Sequence, residues 1–149
     1  MDMTGEFRIP APRQRVWDGL NDPAILKECI PGCETMEKNS DTEFTAKVIA
    51  KVGPVRAAFS GKVTLSDLDP PKGYKISGQG DGGVAGFAKG GATVKLAPKN
   101  GGTVLSYNVD AQIGGKLAQL GQRLVNGAAK KIADDFFANF ANAVNPKPA

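Results

Sequence analysis

The sequence predicts an α+β domain: a short strand, two short helices, a curved antiparallel sheet of about six further strands (seven in all), and one long C-terminal helix. Three observations carry this. From Gly115 to about Asn145, apolar residues recur at Leu117, Leu120, Leu124, Ala128, Ile132, Phe136, Phe140 and Val144, steps of three and four that keep one helix face apolar. Between Thr42 and Ile113 the apolar period is two instead, segment after segment, separated by Gly, Pro and Asn turns. Clean alternation gives each strand one wet and one buried face, as in an antiparallel meander. Only the C-terminal helix has the length to cover such a sheet, about 45 Å if unbroken.

The elements follow in order. Glu6–Ile9 alternates polar and apolar and is ended by Pro10. Pro12 suits the first turn of a helix whose inward face is Val16, Trp17 and Leu20. Asn21-Asp22-Pro23 breaks that helix and starts the next, with Asp22 as N-cap and Pro23 at the first helical position. The second helix, Ala24 to Cys29, stops at Pro31-Gly32. Strands then run over Thr42–Val52, Val55–Ser66, Tyr74–Gln79, Ala92–Leu96 and Leu105–Ile113, with turns at Gly53-Pro54, Asp69–Gly73 and Asn100–Gly102. One domain, residues 1–145, accounts for everything except an extended Pro-rich tail at 146–149.

Composition excludes several function classes. The chain of 149 residues contains no histidine, which removes Ser-His-Asp and Cys-His catalysis and most zinc chemistry. No run approaches the roughly 18 apolar residues of a membrane span, and Met1–Gly5 lacks the character of a signal peptide. A cytoplasmic location is expected, with a peripheral position at the inner face of the cytoplasmic membrane as the variant. The net charge of +4 is uneven: residues 1–40 carry five basic and seven acidic side chains, and 114–149 carry five basic and two acidic. Lys116, Arg123 and Lys130, seven apart, read as a solvated helix stripe, the alternative being attraction to an anionic membrane surface. No aromatic-basic interleaving supports nucleic-acid binding.

Candidate motifs resolve mostly into structure. Gly78–Gly83 spells G-x-G-x-x-G, but a strand follows it where a dinucleotide site needs a helix. With Gly86, Gly90 and Gly91 the stretch reads as a long, mobile or bulged hairpin connection, a candidate gate. Cys29 and Cys33 have the wrong spacing for a thioredoxin motif and read as free thiols. Asp134 and Asp135, adjacent on a helix, point about 100° apart and cannot share a substrate atom. A catalytic reading would rest on Tyr107 or Asp110.

Gly121 and Gly127 lie inside the helix pattern, each costing about 1 kcal/mol relative to Ala. They mark either close packing against a strand or room for a ligand. In the second case Leu117, Leu120, Gly121, Leu124 and Ala128 roof a cavity, while the Phe136–Phe140 end locks the fold. Phe44, Phe59, Val63, Ile76, Phe87, Leu105 and Tyr107 supply the sheet walls, and Leu26 and Ile30 the helix-side wall. Such a pocket holds almost no ionisable group and suits a greasy, flat ligand better than proton transfer.

The element order resembles the helix-grip fold of START and Bet v 1-like lipid-binding domains. Longer stretches go further: Pro12-Arg-Gln-Arg-Val-Trp-Asp-Gly-Leu-Asn-Asp-Pro23, Cys29-Ile-Pro-Gly-Cys-Glu34, Gly53-Pro-Val55, Phe59-Ser-Gly-Lys-Val63, Gly114-Gly-Lys-Leu-Ala-Gln-Leu-Gly-Gln-Arg-Leu124 and Lys130-Lys-Ile-Ala-Asp-Asp-Phe-Phe137. These resemble the CoxG family, named for the G-subunit of carbon monoxide dehydrogenase and SRPBCC in superfamily. The resemblance implies a non-catalytic accessory protein that carries a membrane quinone (menaquinone or ubiquinone) or another isoprenoid or acyl lipid to a CO-dehydrogenase-type molybdenum hydroxylase. The alternative it leaves is an assembly or membrane-recruitment factor with no ligand carriage. Some helix-grip relatives are cyclases or hydrolases. Membrane-recruiting members of the family carry a Pro-rich and then apolar C-terminal extension, whereas this chain ends at Pro146–Ala149. Either the extension has been lost from this sequence or this member works without an anchor, so a tether stays open beside soluble carriage or transient membrane contact.

Overall fold

The computed structural model describes residues 1–145, and the expected tail at 146–149 lies outside them. The element order is β1 (Asp2–Ile9), α1 (Arg13–Leu20), α2 (Pro23–Cys29), β2 (Cys33–Ser40), β3 (Glu43–Val52), β4 (Val55–Asp69), β5 (Gly73–Asp81), β6 (Phe87–Lys99), β7 (Gly102–Gly114), α3 (Lys116–Gln119) and α4 (Gln122–Val144). The seven strands form one antiparallel sheet in the order β1-β7-β6-β5-β4-β3-β2. Its inner face is covered by α1, α2 and α4. The α2 cap is as the sequence predicts: the Asp22 carboxylate accepts from the Ala24 N–H at 2.9 Å, with Pro23 following.

The structure departs from the sequence reading in three places. β2 is the one strand of the expected seven that the sequence does not locate, because Cys33–Ser40 shows no alternation and turns only Met36 toward the core. It is an edge strand, held by its ladder to β3 and not by apolar burial. The long helix is not a single rod. Gly115 and Gly121 sit at φ +72° and +91°, outside the helical region, and isolate the short α3 from α4. The apolar rhythm crosses this break because Leu117 is buried on α3 as well. A Cβ added at Gly121 or Gly127 would meet nothing within 4 Å, so neither glycine serves close packing.

The third departure concerns the glycine-rich stretch. Gly78 and Gly80 lie within β5, and Gly90 and Gly91 within β6; the connection itself is only Gly82–Gly86, with a 3-10 turn at Gly83–Ala85. Gly90 is needed because a Cβ there would run into the Asp110 carbonyl of β7. The missing side chains let the sheet curl tightly.

One end of α4 is firmly seated. Phe140 and Val144 are buried together with Ile9, Val16 and Leu105. Gly19 of α1 admits them: a Cβ there would lie 2.8 Å from Val144 Cγ1 and 3.1 Å from Phe140 Cζ. The Arg15 Nε donates to the Val144 carbonyl, supplying one of the donors that a helix C-terminus lacks. Asn139 Nδ2 donates to the Cys29 carbonyl at 3.0 Å, tying α4 to the end of α2. The buried Thr103 hydroxyl donates to the Ala11 carbonyl at 2.7 Å. Phe140→Ala is expected to cost about 3–5 kcal/mol, read as a lowered urea midpoint with an unchanged slope.

Candidate functional site

Side chains on the concave face line up in rows across the strands. Met3, Val109, Ala92 and Ile76 are successive register partners across β1, β7, β6 and β5. The next row is Gly5, Tyr107, Val94 and Tyr74. Opposite them stand Ala129, Ile132, Ala133, Phe136 and Phe137 of α4, and Leu20, Leu26 and Ile30 close the remaining side. Together with Leu105 these residues border an open-mouthed cavity of about 510 Å³, within the range of small-molecule sites. The small Ala129 and Ala133 leave the space unfilled on the helix side.

One side of the cavity is an aromatic stack. Phe137 lies on Phe7 with ring centres 4.5 Å apart and near Tyr107 at 5.6 Å, both close to parallel, and Phe136 meets Phe137 edge-on at 5.0 Å. The opposite corner is Tyr74, met edge-on by Trp17 at 5.4 Å. Tyr107 fits beside β1 because its cross-strand partner is Gly5; a Cβ there would touch the phenol oxygen at 2.5 Å.

The two phenols are the only side-chain hydroxyls in the lining, which contains no charged side chain. Burial pushes the Tyr74 phenol far above its ordinary value. Burial also raises Tyr107, reinforced by the Asp134 carboxylate and opposed by the Lys130 ammonium. Those two charges pair with each other at 2.6 Å on the exposed side of α4. Both phenols stay protonated at neutral pH and can donate to an uncharged acceptor.

Two further hollows continue the cavity along the sheet. Beyond the Met3 row comes Ala111, Gly90, Gly78 and Val63, then Ile113, Ala88, Gly80 and Gly61. These glycines leave a hollow of about 330 Å³ that shares Ile76, Ala92 and Val109 with the main cavity. A third, of about 500 Å³, shares Ala111 and reaches Phe87, Ala118, Gly121 and Val125 where α4 begins. From Tyr107 to Ile113 the trough runs for roughly 20 Å at about 3.3 Å per residue.

Of the residues expected from sequence, Leu26, Ile30, Ile76, Leu105 and Tyr107 line the main cavity. Val63 lines the glycine hollow, and Phe87 and Gly121 the terminal one. Phe44 is buried in the core with the Lys38 ammonium 5.6 Å above its ring, and the Phe59 ring lies against Gly82. Leu117 is buried on α3, Leu120 and Ala128 are half-buried, and Leu124 is exposed beside Gly53. The helix wall thus sits later than expected. The aromatic segment Phe136–Phe137 borders the space, and locking falls to Phe140 and Val144. Sequence reasoning misses Met3, Leu20, Tyr74, Ala92, Val94, Val109 and the Ala129–Phe137 wall. Tyr74, Ala92, Val94 and Val109 stand on inward positions of the expected strands, and that alternation is the available signal.

A strongly curved sheet wrapped around a C-terminal helix, with an apolar cavity between them, defines a helix-grip protein of the Bet v 1-like kind. Solved structures agree. A conserved protein from Geobacillus kaustophilus superposes with a TM-score of 0.90 at 30% identity, covering 97% of this chain and 95% of that one. Ara h 8.0201 gives 0.70 at 14% identity, covering 99% of each chain. The Zhui aromatase/cyclase from a Streptomyces species, R1128, gives 0.66 at 11% identity, covering 97% and 93%. The last two likenesses speak to the fold alone. The sequence matches the model of the carbon monoxide dehydrogenase G-subunit (CoxG) family over residues 5–145, and the chain belongs to that family. Comparison with curated proteins finds no match. Among the described residues no helix is long and apolar enough to cross a membrane.

The phenols generate a pH prediction. Raised folded-state values favour the neutral form, so their contribution to stability is complete below the unfolded tyrosine value of about 10 and is lost as pH rises through the folded values. The chain has two tyrosines, so phenolate absorbance reports on these two alone. Both are expected to titrate later than free tyrosine, Tyr74 only as the fold opens, and Tyr74→Phe should lessen the alkaline loss of stability.

Proposed function

We propose that this protein is a non-catalytic carrier that holds a hydrophobic molecule, a membrane quinone or a similar isoprenoid or acyl lipid, between the sheet and α4. The proposal extends to delivery: the cargo is handed to a CO-dehydrogenase-type molybdenum hydroxylase, the kind of enzyme after which the family is named. The observation that carries the reading is the lining itself, sixteen residues whose side chains offer two neutral phenols and otherwise apolar or aromatic surface. A quinone ring is flat and accepts hydrogen bonds at its carbonyls. The near-parallel Phe7, Tyr107 and Phe137 rings suit the ring plane, and protonated Tyr107 and Tyr74 suit the carbonyls. The adjoining glycine hollow suits an apolar chain that needs width and no polar partner.

The same lining argues against turnover. General acid–base chemistry needs a group whose proton moves near neutral pH, and both phenols are displaced away from it. The aromatase/cyclase among the structural neighbours therefore extends the fold likeness without supplying a mechanism for this chain.

Organic extraction of the purified protein followed by mass spectrometry is expected to recover a quinone or lipid. Added quinone should quench the single tryptophan, Trp17, which touches the cavity through Tyr74. Ala133→Phe should fill the space and reduce both signals by at least tenfold while leaving far-ultraviolet circular dichroism unchanged. An empty protein that shows no quenching in titration would leave the assembly-factor reading in its place.

A further inference from the structure

Past the Ile76 row the inner face of β5 loses its side chains. The inward positions there are Gly78 and Gly80, flanked by Gly90 and Ala88 on β6 and by Val63 and Gly61 on β4. A Cβ on Gly80 would meet nothing within 4 Å, so open space stands directly over the backbone. The bare stretch ends abruptly. At the next inward position, Gly82, the ring of Phe59 covers the backbone, and a Cβ on Gly82 would fall 2.9 Å from Phe59 Cζ. Phe59 follows Gly61 on the inner face of β4, with Val48 of β3 as its cross-strand partner. The result is a groove that joins the main cavity through Ile76, Ala92 and Val109 and is stopped by an aromatic ring at its far end.

Two measures of this groove agree. Ile76 to Gly80 is a short run of strand, about 13 Å long. An extended carbon chain advances about 1.2 Å per bond, as the peptide backbone does, so a four-bond isoprenoid repeat takes about 5 Å. By length the groove holds about two to three repeats. Its volume is about 330 Å³. At about 30 Å³ per heavy atom, the share of a water molecule in the liquid, that is room for about eleven carbons, or about two five-carbon repeats. The terminal hollow is a poorer continuation. Gln112, Gln122 and Asn126 line it, and an apolar chain there would strip water from amides without offering them a bond.

We propose that the Gly78–Gly80 groove is a chain-length ruler: it takes the first two to three isoprenoid repeats of the cargo's tail, about 13 Å of chain, and Phe59 turns the remainder out of the protein. The proposal rests on the carrier reading and adds a specificity to it. Tails shorter than the groove lose affinity with every repeat removed, whereas all longer tails bind alike.

Titration with one quinone head carrying from zero to about six isoprenoid repeats, about twice the capacity of the groove, tests it. Trp17 quenching is the readout, corrected for each ligand's partition into the detergent that presents it. Affinity is expected to rise about tenfold per repeat up to the second or third and to level from there. Gly80→Phe should leave the tail-free head unchanged, weaken the three-repeat ligand by about tenfold or more, and bring the levelling forward to the first repeat. Phe59→Ala should remove the stop and carry the rise on by one further repeat, again about tenfold. Unchanged binding of the tail-free head verifies in each variant that the fold and the main cavity are kept. Gly80→Val, which favours a strand, takes the place of Gly80→Phe if that variant loses the head. Affinity equal at every tail length, affinity still rising at the longest tail, or a profile that neither variant moves would overturn the ruler and leave carriage standing. No binding at any tail length would overturn both.

Discussion

The sheet has more inner face than its helices can cover. Seven strands present a concave apolar surface, and α4, at 23 residues about 35 Å long and some 10 Å across, must lie over it. Phe140 and Val144 fix one end of that helix in the pocket beside Gly19, where α1 and β7 complete a close-packed core. From that seat the helix runs back over the sheet toward Gly121. Along this stretch it turns small residues, Ala129 and Ala133, toward the sheet, and beyond the Ile76 row the inward strand positions Gly78, Gly80 and Gly90 carry no side chain. The unfilled volume follows from that mismatch. The tight end contributes the stability that lets the other end remain open, since an apolar void forfeits packing contacts all around its lining.

The phenols fit the same logic. A polar group in such a lining is costly unless it is bonded or lies where a partner can reach it. Tyr107 sits where β1 has Gly5 and where the Lys130–Asp134 pair is near, and Tyr74 sits against Trp17. Neither adds a charge. The lining consequently offers shape, ring faces and two neutral hydroxyls, with no charged side chain.

Much of this was legible in the sequence because the signals were local. The alternation in Thr42–Val52 and Leu105–Ile113 specified strand faces, and the Asp22-Pro23 pair specified a helix start. The break at Gly121 was hidden because Leu117 keeps the apolar rhythm going across it; periodicity records which way a side chain points, not whether the backbone is continuous. β2 was hidden for the opposite reason, since an edge strand held by backbone bonds leaves little apolar pattern. The cavity was anticipated as a kind of space at the start of the helix, where Gly121 does line the terminal hollow, while the main cavity lies against the later turns from Ala129 to Phe137. Aromatic residues read as filler from sequence, and only the three-dimensional seat of Phe140 separates the ring that plugs from Phe136 and Phe137, which border open volume.

The glycine rows carry one more consequence. Where Gly78, Gly80 and Gly90 form the wall, the surface is peptide backbone already committed to sheet hydrogen bonds. Such a wall has no rotamers to adjust and no side-chain chemistry to match. Its clearance is set by backbone positions alone. The two ends of the trough therefore present unlike surfaces, rings and phenol hydroxyls at the Tyr74–Tyr107 end and bare peptide backbone at the Gly78–Gly90 end.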